Sequence, residues 1–179
     1  MNGAERRPAR WPGVLGTVGI IIAVLTFWDE LSELIRLFTW GEEDWVRMLG
    51  TETARMVQEF APPLGFVIAS AVINLELAIL LFVGSVLLIR RSRAGVSCCR
   101  VWAFLALPWL AAQLLLVLTW MRTHLPGLLR PEWHVDEATI VFWTIIAFMV
   151  IAIFPVFLLV WFARPTVKAE YATWDMPAA

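Results

Sequence analysis

Between Leu64 and Ile89 the chain reads LGFVIASAVINLELAILLFVGSVLLI, 26 residues with a single charge, Glu76. A helix crosses a bilayer with about 20 predominantly apolar residues, so this run is long enough to span and too long for the core of a small soluble domain. Glu76 falls near its middle. A charged side chain at the bilayer centre costs at least about 2.5 kcal/mol. The carboxyl therefore requires a partner, a water-filled cavity or a proton, and whatever fold the chain adopts has to provide one of them.

Three more runs have the same character, and spans are expected at about 12–28, 64–89, 101–121 and 138–163. Hydrophobic residues make up 60% of the 179, against about 45–50% in soluble domains, and the excess lies in these blocks. The expected fold is an all-α integral membrane protein, a single membrane domain built as a four-transmembrane-helix bundle. The first run follows a short basic tail but ends AVLTFWDE, without a small-residue cleavage pattern, so it reads as a retained helix and not a signal peptide. Pro12 sits in its first turn, where a missing N–H does no harm. Residues 29–61 are polar and apolar by turns. Leu31, Leu34, Ile35 and Phe38 follow helical spacing, Gly41 is a natural stop, and Trp45, Val46, Met48 and Leu49 begin another apolar face. This segment is expected to form one or two short amphipathic helices in the first outer loop, at the membrane interface or over the bundle. Residues 164–179 read as a polar cytoplasmic tail.

Arginine and lysine set the orientation. Arg6, Arg7, Arg10, Arg90, Arg91, Arg93, Arg100, Arg164 and Lys168 fall on one side, and Arg36, Arg47, Arg55, Arg122 and Arg130 on the other. Both termini are thus expected in the cytoplasm, with Trp11, Trp102 and Trp161 near the inner interface and Trp28 and Trp120 near the outer one. Cationic side chains comprise 13 Arg and a single Lys, a bias read as GC-rich coding and hence a bacterial inner membrane. In outline, four spans with the larger loop outside is similar to claudin-like and MARVEL-type proteins. The cysteine pair of the claudin first loop is missing, so no function carries over.

Several classes are excluded or disfavoured. A net charge of −1 gives nucleic acid no footprint. No stretch outside the runs is long enough for a soluble catalytic domain. No Ser-His-Asp set, Gly-rich phosphate loop or HExxH motif occurs, so no enzyme and no cofactor is expected. His124 and His134 near Asp136 and Glu137 match no zinc spacing, and adjacent Cys98 and Cys99 form neither a disulfide framework nor a CxxC site.

Three groups of residues remain as candidates. Gly16, Gly19 and Ala23 share one helix face, and Gly65 and Ala69 make a second small-xxx-small pair; both suit close helix packing, within the bundle or between copies. Trp102, Trp109 and Trp120 lie with Ala106 and Gln113 on one side of the third span, within about 60°. They read as core and interface tryptophans or as an apolar groove for a quinone, pigment or lipid tail. The third group is an intramembrane polar site of Glu76, Gln113 and Asn74. Counted from the inner ends of their spans, Glu76 and Gln113 agree in depth within roughly 2 Å, so Glu76 is expected to be neutral and hydrogen-bonded to Gln113. Asn74 is about 200° away from Glu76 and faces another neighbour.

The expected function is non-catalytic: a multi-pass structural or accessory subunit acting through helix–helix contacts in the bilayer. Its partners are membrane lipids and further copies of itself or other subunits of a membrane complex. The alternative is a small proton- or cation-coupled transporter or channel component that uses Glu76.

Overall fold

The computed structural model describes residues 10–39, 64–128 and 136–174. They form five helices: α1 (Trp11–Thr39), α2 (Leu64–Ile89), α3 (Arg93–Leu128), α4 (Glu137–Ala163) and the short α5 (Pro165–Tyr171). No strand occurs among the described residues. The first four helices are each long and apolar enough to cross a membrane. They pack in chain order, α1 on α2, α2 on α3 and α3 on α4.

The α2–α3 turn takes only three residues. Arg91 adopts the left-handed conformation, with φ 55°. The Arg91 N–H donates to the Leu88 carbonyl and the Ser92 N–H to the Leu87 carbonyl, each at 3.0 Å, so the last carbonyls of α2 are satisfied as in a Schellman cap. Ser92 Oγ then accepts from the Ala94 N–H at 3.3 Å and starts α3. Gly95 makes so sharp a reversal feasible, because a Cβ there would lie 2.6 Å from the Leu87 carbonyl carbon.

So tight a turn fixes the antiparallel register. Ser70 faces Gln113 and Asn74 faces Trp109 through hydrogen bonds, while Gly84 lies on Cys99 and Gly95 on Leu88. The two residue numbers of each pair total 183. On the other side of α2, Glu30 faces Asn74 and Gly19 faces Ser85, each pair totalling 104. Gly16, Gly19 and Ala23 are buried and form the seam that brings α1 onto α2. A Cβ at Gly16 would stand 2.8 Å from the Ser85 carbonyl oxygen, and one at Gly19 would overlap the Ser85 hydroxyl. These three small residues thus pack within the chain.

The end of the bundle that carries residue 10, the 90–92 turn and residue 174 is closed by aromatic side chains. Trp11 stacks on Trp174 at 5.4 Å and meets Trp161 and Phe162 edge-on at 6.2 and 6.1 Å. Its indole N–H donates to Glu170 at 2.6 Å. The Arg93 guanidinium donates to the carbonyls of Tyr171 and Ala172.

Three expectations need correction. α1 does not end at Trp28; it continues to Thr39, because residues 29–39 contain no Pro or Gly and polarity alone does not stop a helix. The remainder of the 29–61 segment, from residue 40 onward, lies outside the described residues. α3 begins at Arg93, not near Val101, so the presumed 90–100 loop is mostly helix. The tail from residue 164 is not a loose extension up to Trp174: α5 folds back, and Val167 and Trp174 are buried. Trp11 and Trp161 pack against this tail and its neighbours.

Candidate functional site

Towards the opposite end of the bundle, α1 and α4 leave between them a cavity of about 920 Å³, walled by all four long helices. Its residues recur at helical spacing on each wall. α3 gives Trp102, Ala106, Trp109, Leu110 and Gln113; α2 gives Ser70, Asn74, Leu77, Ala78 and Leu81; α1 gives Ala23, Thr26, Glu30 and Glu33; α4 gives Phe148, Ile151, Phe154 and Pro155. The deep part is apolar and tightly made, since Ala23, Ala78, Leu81, Trp102 and Ala106 are all buried.

Above that floor runs a line of hydrogen bonds. The Trp109 indole N–H donates to Asn74 Oδ1 at 2.7 Å, and Asn74 Nδ2 donates to Glu30 Oε1 at 2.6 Å. An indole only donates and a carboxylate only accepts, so the Asn74 amide has one orientation that satisfies both. Asn74 thereby ties α1, α2 and α3 together. One turn farther along, Gln113 Nε2 donates to Ser70 Oγ at 2.8 Å.

This arrangement brings together Asn74, Gln113, Trp102 and Trp109 but leaves out Glu76 and Trp120. Glu76 is not bonded to Gln113. In the observed register Gln113 is level with Ser70, six residues from Glu76, or about 9 Å along the helix. The depth match expected from the sequence fails because α3 starts eight residues earlier than the apolar run suggests. Glu76 instead lies exposed on the outer side of α2, with no hydrogen bond or ion pair to another described residue. Gly65, Ala69, Val72, Ile79 and Val83 are exposed on the same side. Added bulk at Gly65 meets nothing within 4 Å. This small-xxx-small pair thus takes no part in packing within the described chain, unlike Gly16 and Gly19.

The residue that sequence reasoning misses is Glu30. It sits one heptad beyond Ala23 on the seam that runs Gly16, Gly19, Ala23, Thr26, Glu30 and Glu33, and this continuing spacing is the signal that places it. No cluster of three or more His, Cys, Asp or Glu suited to a metal occurs among the described residues. Cys98 and Cys99 are free thiols, and Cys99 is buried against Gly84. His124 falls on the last part of α3, and His134 lies outside the described residues.

Comparison with known proteins gives no match: no family model, no curated protein and no solved structure is detectably similar to this chain.

Proposed function

We propose that this chain is an integral membrane protein that serves as a non-catalytic structural or accessory subunit, assembling through the outer side of α2 with a second copy of itself. The carrying observation is the exposure of Glu76 in the middle of a helix of spanning length. In a bilayer a lone chain would hold that carboxyl against lipid, at a cost of at least about 2.5 kcal/mol in its charged form. A partner helix removes the cost. The flanking residues suit such a partner: Gly65, Ala69, Val72, Glu76, Ile79 and Val83 follow one another at intervals of four and three, the seam of a left-handed helix pair. Gly65 and Ala69 permit close backbone approach. In a parallel pair about a two-fold axis each seam residue meets its own copy, so the two Glu76 side chains meet away from lipid and can be joined by a hydrogen bond.

Cysteine cross-linking in native membranes tests this. In a Cys98→Ser, Cys99→Ala background, Ile79→Cys should form a disulfide-linked dimer, and Phe104→Cys on the exposed side of α3 should not. A cross-link from Ile79→Cys to a different protein would make the chain a subunit of a mixed complex. Cross-linking of Phe104→Cys alone would refute the interface. Coupled transport through Glu76 draws no support from the cavity, whose wall Glu76 does not join. Proton flux in proteoliposomes that is lost in Glu76→Gln while dimers persist would establish that reading instead.

A further inference from the structure

The cavity has a chemistry that the interface through Glu76 does not use. Among the described residues that line it three are charged, Asp29, Glu30 and Glu33, and all three are acidic; no described Lys, Arg or His joins them. They crowd one wall because the apolar part of α1 is short. α1 turns polar at Asp29, yet its register places Glu30 level with Asn74, near the middle of α2. The lining therefore acquires carboxyl groups half-way along the bundle, Glu30 half-buried and Asp29 and Glu33 exposed, while the opposite wall stays apolar and aromatic down to Trp102 and Phe154.

Glu30 Oε1 accepts from Asn74, which anchors the carboxylate at the side of the cavity and leaves its second oxygen available. Trp28 and Trp109 line the cavity at the same level, and indole is the best aromatic surface for a cation. The volume of about 920 Å³ lies within the usual range of small-molecule sites, about 300–1,000 Å³. A small hydrated metal ion would leave the apolar floor unused, and an anionic amphiphile would place like charge against three carboxylates.

We propose that this cavity binds a lipophilic cation, a molecule with a delocalised or quaternary positive charge on an apolar body. The charge lies against Glu30 with Asp29 and Glu33 around it, and the body fills the floor between Ala106, Leu81 and Phe154.

Tetraphenylphosphonium and tetraphenylborate form a suitable probe pair, because they share a shape and differ in the sign of their charge. Equilibrium dialysis of the full-length protein in neutral detergent should show saturable binding of tetraphenylphosphonium at one site per chain, with tetraphenylborate at least tenfold weaker. Glu30→Gln should weaken the cation at least tenfold; its amide oxygen still accepts from Asn74, so the bundle is kept. Ala106→Phe should abolish binding by filling the floor. Should Ala106→Phe fail to fold, Glu30→Gln and the charge pair decide the matter alone. Equal binding of the two ions, absence of saturable binding, or an unchanged affinity in Glu30→Gln would each overturn the proposal. A co-purifying phospholipid that tetraphenylphosphonium does not displace would also overturn it and assign the cavity to a lipid tail.

Discussion

Gly16 and Gly65 are both members of small-residue pairs, yet they should respond oppositely to the same substitution. In Gly16→Ala the new methyl stands 2.8 Å from the Ser85 carbonyl oxygen, where ordinary contact begins at 3.4 Å. The obstacle is backbone, so it cannot rotate away, and Ile89 crowds the site from the other side. The helices must part by about 0.6 Å. A rigid movement of that size would stretch the 2.6 Å bond between Asn74 and Glu30 to about 3.2 Å, the outer limit of a good hydrogen bond. Overpacking of this kind costs about 1–3 kcal/mol, and the higher helix propensity of Ala returns up to about 1 kcal/mol. A net loss of about 1–2 kcal/mol is expected. In Gly65→Ala nothing lies within 4 Å, so monomer stability should stay level or rise slightly. Unfolding in mixed micelles, followed by tryptophan fluorescence, reads both. Equal stability of Gly16→Ala and Gly65→Ala would refute the packing argument, and so would a larger loss in Gly65→Ala.

Three further outcomes are expected. Asn74→Leu removes two interhelical hydrogen bonds, each worth about 0.6 kcal/mol in membranes on average, and should cost about 1 kcal/mol with a shift in Trp109 emission; unchanged stability and emission would show the network to be idle. Reporter fusions at residue 179 and in the 90–92 turn should both mark the cytoplasm, with fusions near residues 41 and 131 marking the far side, and a C-terminus on the far side would overturn the orientation. Asp136 caps α4, accepting from the Thr139 N–H at 2.8 Å; hydrogen bonds from the Thr139 side chain first and its backbone N–H second hold the carboxyl below the usual value. Because the folded-state value is lowered, the cap contributes fully at neutral pH and is lost as pH falls through that value. Amide exchange at Thr139 should accelerate in Asp136→Ala at pH 7, and equal exchange in the two proteins would contradict the cap.

The architecture is largely legible in the sequence because apolar runs of spanning length admit few alternatives. A shared face of α2 is legible too: Ser70, Asn74, Ala78 and Ser85 fall together at helical spacing, and it is the structure that turns all four to the interior. What fails is the depth of one helix against the next. Arg93–Arg100 reads as loop because it is polar, yet helix begins at Arg93, and the eight-residue error moves Gln113 from Glu76 to Ser70. The same habit ends α1 at Trp28 and hides Glu30. In both places polarity marks where a helix could leave an apolar phase, while capping and turn chemistry decide where it stops: Arg91, Ser92 and Gly95 at one end of the bundle, and no breaker before Thr39 at the other. The side on which Glu76 falls could not be read from its own helix, since a helix between two neighbours has two buried faces and one free one. The register with α1 and α3 decides which is which.

The exposed side of α2 is proposed as the place where copies of this protein meet. Single-molecule photobleaching in lipid bilayers, across a series of protein-to-lipid ratios, measures that association directly. Interhelical hydrogen bonds of this type are worth about 1–2 kcal/mol in model peptides, or about 5–30-fold in a dissociation constant. Wild-type protein and Glu76→Gln should therefore show two-step bleaching at similar ratios, and Glu76→Leu should require about 5–30-fold more protein to reach the same dimer fraction. Single-step bleaching of the wild type throughout the series would refute pairing through α2, as would a Glu76→Leu variant that pairs as well as the wild type.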